Sequence, residues 1–147
     1  MNFVKHLLFG FLFGILFIII AHYLLKVFPI SIEQAITLCS IIFVYSLLPD
    51  TDHRNSIISF IFVGLGILGL GIGYYLNNNL INISSFILLV LTYIAWLVGH
   101  RQFVHSILFG ILVSLPLIYF LGYEFAILSF IAFYSHLFAD KEYFKLF

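Results

Sequence analysis

The chain is a succession of continuously apolar runs, and that pattern leaves it few ways to fold. Leu7 to Phe28 and Ser56 to Leu76 are long enough to cross a bilayer core, which takes roughly 20 residues and at least about 17. Ala35 to Leu48, Ile83 to Val98, Ser106 to Leu121 and Phe125 to Ala139 are shorter and marginal by the same measure. Apart from Lys26 in the first run, none of the six contains a Lys, Arg, Asp or Glu. A water-soluble domain is about one quarter charged, whereas this chain of 147 residues is 8% charged and 64% apolar. Lone strands cannot satisfy their backbone in lipid, and a closed barrel would show short alternating segments. The expected fold is therefore all-α: a polytopic membrane helix bundle of about six transmembrane helices, with residues 1–147 as a single integral membrane domain. A version with four spanning helices and re-entrant segments is the alternative. The first run is too long for a signal peptide, and no small-residue cleavage site follows it.

The scarce polar residues carry the remaining information. Six basic residues balance six acidic ones, so no net field draws a polyanion, and a nucleic-acid partner is excluded. Cys39 is the single cysteine, which rules out a disulfide framework and a thiolate metal site. Six crossings place the N-terminus, the second and fourth connections and the C-terminus at one membrane face. That face receives His6, then Asp50, Asp52 and His53, then His100, Arg101 and His105, then His136 and Asp140. Lys5, Arg54, Arg101, Lys141 and Lys145 fall on the same side, against Lys26 on the other, so the positive-inside rule makes the histidine face and both termini cytoplasmic.

Each group also has a plain structural reading. A single His at a helix end is usually an interfacial residue with its polar tip in water, and His22, placed toward the other face, is read that way. His136 and Asp140 differ, because a spacing of four puts both on one face of the last helix. A carboxylate is unfavourable at a helix C-terminus, so Asp140 needs a cation. Asp50 and Asp52 pose the same problem beside His53. Arg54 or Arg101 could answer it as a charge network; a metal ion with oxygen and nitrogen ligands answers it better. His100 and His105 converge only if the chain turns between them.

Other signals point to packing. Gly64, Gly66 and Gly69 have the form of a dinucleotide fingerprint without its preceding strand, and Gly69 with Gly73 makes a GxxxG pattern. Close helix packing is the expectation for all five glycines from Gly64 to Gly73. Ser106 beside His105 lacks the elbow of a serine nucleophile and reads as a helix cap.

The segments LPDTDH, HRQFVHS and SHLFAD, after an early HLLFG, resemble the YdjM-like family of inner-membrane-associated, LexA-binding, metal-dependent hydrolases over nearly the whole chain. The resemblance implies functional roles for His6, Asp50, Asp52, His53, His100, Arg101, His105, His136 and Asp140. Lys5, Gln102 and Val104 depart from the Thr, Gly and Thr of the family pattern, which removes hydroxyls able to orient ligands. By analogy with helical zinc phosphoesterases, the expected activity is hydrolysis of a phosphate ester of a lipid or headgroup. One or two divalent ions, zinc foremost with manganese or iron as alternatives, would be held by His6, Asp50, Asp52, His53, His100, His105, His136 and Asp140. Asp50 or Asp52 would serve as general base and Arg101 would hold a phosphate oxygen. A metal-ion or proton pathway is the rival expectation, and a regulatory anchor for a cytosolic protein is the third, as the family's LexA-binding label implies.

Overall fold

The computed structural model describes residues 3–26, 31–98 and 103–141. It is all-helical, with no strand among the described residues: α1 (Phe3–Ile20), α2 (Ile32–Leu47), α3 (Ile57–Tyr75), α4 (Asn79–Val98), α5 (Ile107–Ser114), α6 (Pro116–Phe120) and α7 (Tyr123–Ala139). Four stretches are long and apolar enough to cross a membrane: Phe3–Leu24, Ile32–Asp52, Ile57–Tyr75 and Asn79–Leu97. Ile107–Phe120 and Tyr123–Ala139 are shorter apolar helices. About six membrane-type helices result, as the six runs predict. The chain divides into two compact units, Met1–Pro49 with His105–Phe147, and Asp50–Val104.

In the first unit α7 is the hub, touching α1, α2, α5 and α6, and α1 and α2 also touch each other. The composition of α7 explains its position. Ala126, Ser129, Ala132, Ser135 and Ala139 are small and buried, so neighbouring backbones can come close. The hydroxyls of Ser129 and Ser135 donate back to the carbonyls of Ala126 and Ala132, at 2.8 and 2.6 Å, and bring no unpaired polar atom into the interior. On α1, Gly10 faces Ser46 and Ser135, and Gly14 faces Ile42; a methyl group at either would collide with those side chains.

The fifth apolar run is divided. Pro116 opens α6 directly after α5, because it lacks the N–H that the ladder needs. Beside the break, Tyr45 of α2 donates its hydroxyl to the Val113 carbonyl at 2.9 Å. Gly122 follows with φ +118°, a conformation open to glycine, and α7 begins with Glu124 in its first turn, where the helix dipole favours a carboxylate.

The second unit is the antiparallel pair α3 and α4. Gly66, Gly69 and Gly73 pack against Leu89, Ser85 and Asn82 of α4. Gly64 and Gly71 meet open space instead, so close packing accounts for three of the five glycines. These two fall on the other face of α3, which its helical period turns away from α4. The turn is built by asparagines: Asn77 takes a left-handed φ of 52°, and the amides of Asn77 and Asn78 donate to Tyr74 and Gly73. This is a Schellman ending. Asn78 then caps the next helix, its side-chain oxygen accepting from the amides of Leu80 and Ile81. Helix α4 therefore starts at Asn79, four residues before the apolar run at Ile83. At the other end, the Ser59 hydroxyl donates to the carbonyls of Thr51 and His53 and accepts from the Trp96 indole at 3.3 Å. Arg54 lies 5.9 Å over that indole, so the 50–56 turn is held to both helices.

Candidate metal centre

Three helix ends of the first unit and the turn residue His105 meet around His136. The ring belongs to the last turn of α7. Its Nδ1 lies 2.8 Å from the carbonyl oxygen of Ser46 near the end of α2. A carbonyl only accepts, so Nδ1 carries the proton and Nε2 of the neutral ring presents its lone pair. That tautomer is the one a metal ligand needs, with the outer nitrogen anchored by a backbone oxygen.

The lone pair faces two further donors. His136 Nε2 is 3.7 Å from Asp140 Oδ2, and His6 Nε2 is 3.4 Å from Asp140 Oδ1. The His6 ring, from the first turns of α1, stacks on His136 with centroids 3.8 Å apart and planes 10° from parallel. One ligand atom from each of His6, His136 and Asp140 lies within 4.8 Å of the other two. A charge-assisted hydrogen bond between imidazolium and carboxylate is shorter, about 2.7–2.9 Å. Zinc ligands at about 2.0–2.1 Å in a tetrahedron stand roughly 3.3–3.4 Å from each other. The two separations are nearer the second pattern and the donor types suit a small divalent ion, while the parallel His6 and His136 rings must tilt for their in-plane lone pairs to meet on it.

Burial sharpens the electrostatics. His6, His105 and His136 are 0–1% exposed. Two stacked, buried imidazolium rings would repel, which favours neutral rings acting as nitrogen donors. Desolvation works to raise the pKa of Asp140, yet the chain's N-terminal amino group, as hydrogen-bond donor and charge, holds its carboxyl below the usual carboxylate range, and any charge on His6 or His136 acts the same way. It is an ionised oxygen donor at the helix end, where a neighbouring cation makes it favourable.

His105 completes the cluster. It closes a short 3-10 turn, Phe103–His105, outside α4 and before α5, and its ring meets His136 edge-on at 5.4 Å and 71°. Ser106, the next residue, caps α5 by accepting from the Phe109 amide at 3.1 Å, the role its position predicts.

Asp50, Asp52 and His53 belong to the second unit. Asp50 and Asp52 lie in the 3-10 turn Leu48–Asp52, and Asp52 is buried. The His53 amide donates to the Asp50 carbonyl at 3.2 Å. The His53 ring is exposed, and its Nδ1 accepts from the Asn55 amide at 3.3 Å, so any ligand role falls to Nε2. His100 and Arg101 lie outside the described residues.

The sequence reading missed three contributors. Ser46 acts through its backbone carbonyl, which no residue type advertises. Gly10 and Gly14 let α1 approach closely enough for His6 to reach His136, and their spacing of four, the same GxxxG pattern noticed at Gly69 and Gly73, is the signal that could have found them.

The family model described as YdjM inner membrane protein matches residues 1–142. No curated protein and no solved structure matches the chain.

Proposed function

Since the chain belongs to the YdjM inner membrane protein family, we propose that its helix-end cluster is the metal centre of a hydrolase acting on a phosphate ester of a membrane lipid or headgroup. The observation that carries this reading is the His136 ring, with Nδ1 committed to the Ser46 carbonyl at 2.8 Å and Nε2 turned toward Asp140. His6, His136 and Asp140 supply two nitrogens and one oxygen. Three protein ligands with a fourth position left for water or substrate are the usual set of a catalytic zinc site, and manganese or iron would accept the same donors. When bound, such an ion polarises a phosphoryl oxygen and lowers the pKa of a water toward ~7.

The protein's own residues set the conditions for that chemistry. The Ser46 carbonyl fixes the tautomer of His136. His105, itself buried, lies edge-on to His136. Roles for Asp50 or Asp52 as general base and for Arg101 as the phosphate-binding cation come from the motif pattern of the sequence. Lys5, Arg54, Arg101, Lys141 and Lys145 against Lys26 orient the histidine face toward the cytoplasm in a multi-pass arrangement.

A second reading is that the ion is structural and ties helix ends together. The near-complete burial of three imidazoles favours it, since structural sites are closed. Turnover separates the two. Purified protein in lipid vesicles should release phosphate from phosphatidic acid or an isoprenyl phosphate, lose that activity to a chelator, and lose it in His136→Ala with helicity retained. Unchanged turnover in a folded His136→Ala protein would contradict the assignment, and bound metal with no turnover on any phosphate ester would favour the structural role.

A further inference from the structure

The hairpin of α5, α6 and α7 is short for a membrane. Residues 107–121, between the Ser106 cap and the Gly122 turn, contain no charged side chain, and residues 125–139, between Glu124 and Asp140, contain no Asp, Glu, Lys or Arg. Each arm thus counts 15 residues, roughly 22 Å of helix, against a hydrocarbon core of about 30 Å. Helices α3 and α4, with 19 and 20 residues, match that core. In the hairpin's own unit the stretch Phe3–Leu24 has 22 residues and takes up its excess by tilting; a short arm gains nothing from tilt, which lowers its reach. The tip of the hairpin is nonetheless built for water. No side chain caps the start of α7, so the amides of its first turn look to solvent for partners. The Glu124 carboxylate lies over Gly122 at the turn. Tyr119, Phe120 and Tyr123 are exposed around it, and tyrosines gather where hydrocarbon meets headgroups, the ring in the apolar layer and the hydroxyl in the wet one. At the other end Asp140 and the exposed Lys141 follow α7.

We infer that the hairpin crosses the bilayer by thinning it: phospholipid headgroups draw inward around residues 119–124, and this flank of the first unit is a contact surface for phospholipids with shorter chains. A stretch shorter than the core is accommodated by thinning, by flanking side chains that reach outward, or by association. Reach is limited here, because the Glu124 carboxylate is folded over Gly122 and backbone amides have no reach. In an unthinned bilayer the amides and the carboxylate would stand about 8 Å inside the hydrocarbon, where polar groups persist only if protein or water covers them. Protein does not cover this tip, whose aromatic side chains are exposed. Drawing the lipid inward costs only a little for each ångström of mismatch. Nothing in this requires a bound metal, so it stands or falls apart from the metal centre.

The test is hydrogen–deuterium exchange of the full natural chain, read by mass spectrometry in vesicles of phosphatidylcholines with fourteen-carbon, eighteen-carbon or twenty-two-carbon monounsaturated chains. Peptides covering Tyr123 and Glu124 should exchange readily in the thinnest bilayer and several-fold more slowly in the thickest, where drawing lipid to the tip costs most. The turn at 76–79, between helices that match the core, should change far less. Tip amides protected at every thickness would mean a re-entrant hairpin that ends in hydrocarbon, and tip amides equally fast at every thickness would mean a water-filled vestibule; either result overturns the thinning. In mixed vesicles, a photoactivatable diazirine carried on the fourteen-carbon chain should label α5–α7 several-fold more than one carried on the twenty-two-carbon chain, with no such preference on α3 and α4. Equal labelling of α5–α7 by the two lipids overturns the shorter-chain surface.

Discussion

His136 has one proton to place and two neighbours that settle where it goes. The Ser46 carbonyl takes it at Nδ1, and the carboxylate of Asp140 faces the bare Nε2 at 3.7 Å. The arrangement is favourable only when something positive lies between lone pair and carboxylate, and His6 converges on the same carboxylate. Asp140→Asn keeps the shape of the site and removes its charge. It should weaken metal binding by at least about tenfold, the scale on which even ligand-supporting groups act, as read by competition with a chelator. Equal affinity in the Asn variant would mean that Asp140 is not a ligand. Tyr45 offers a control away from the centre. Tyr45→Phe removes the hydroxyl that serves the Val113 carbonyl at the Pro116 break, and it should cost roughly 0.6–1.7 kcal/mol, the range for hydrogen bonds between membrane helices. Thermal unfolding in detergent would show the loss, with metal affinity unchanged.

Among the elements, α1 depends on having no side chain at Gly10. A methyl group there presses on Ser46, the residue whose carbonyl anchors His136. Gly10→Ala should therefore destabilise the protein by about 1–3 kcal/mol, the usual cost of overpacking, and lower metal affinity with it. Gly64 meets open space within α3, so Gly64→Ala should be neutral or gain up to about 1 kcal/mol from helix propensity. Equal effects of the two substitutions on stability would contradict the packing described. The contrast also shows what a sequence can reveal about elements. Hydrophobic runs located the helices, because a membrane helix needs length and apolarity more than any particular residue. Boundaries were less visible, since Asn78 ends one helix and caps the next through side-chain bonds that look in sequence like plain loop polarity. The division at Pro116 was likewise hidden inside a continuous apolar run.

At the scale of the whole molecule, topology alone predicts that His6, His105, His136 and Asp140 come to one end. Antiparallel helices of similar length return to the same face, and in the first unit the start of α1 and the ends of α2 and α7 meet there together with His105. What the sequence could not show is the ring tautomer or the 10° stacking of His6 on His136, because each depends on helix rotation rather than residue order. Orientation is a property at this scale too. A cysteine placed near Lys5 should react with a membrane-impermeant maleimide only after the inner membrane is opened to the cytoplasmic side; ready labelling from the periplasmic side would reverse the assignment. The most direct test of the metal centre is metal content per chain by inductively coupled plasma mass spectrometry on detergent-purified protein, beside a His136→Ala, Asp140→Ala double variant. Near-stoichiometric zinc, manganese or iron in the natural chain, lost in the folded variant, is the result predicted. Absence of metal from both, with both folded, would reduce His6, His136 and Asp140 to a buried charge network and contradict the account.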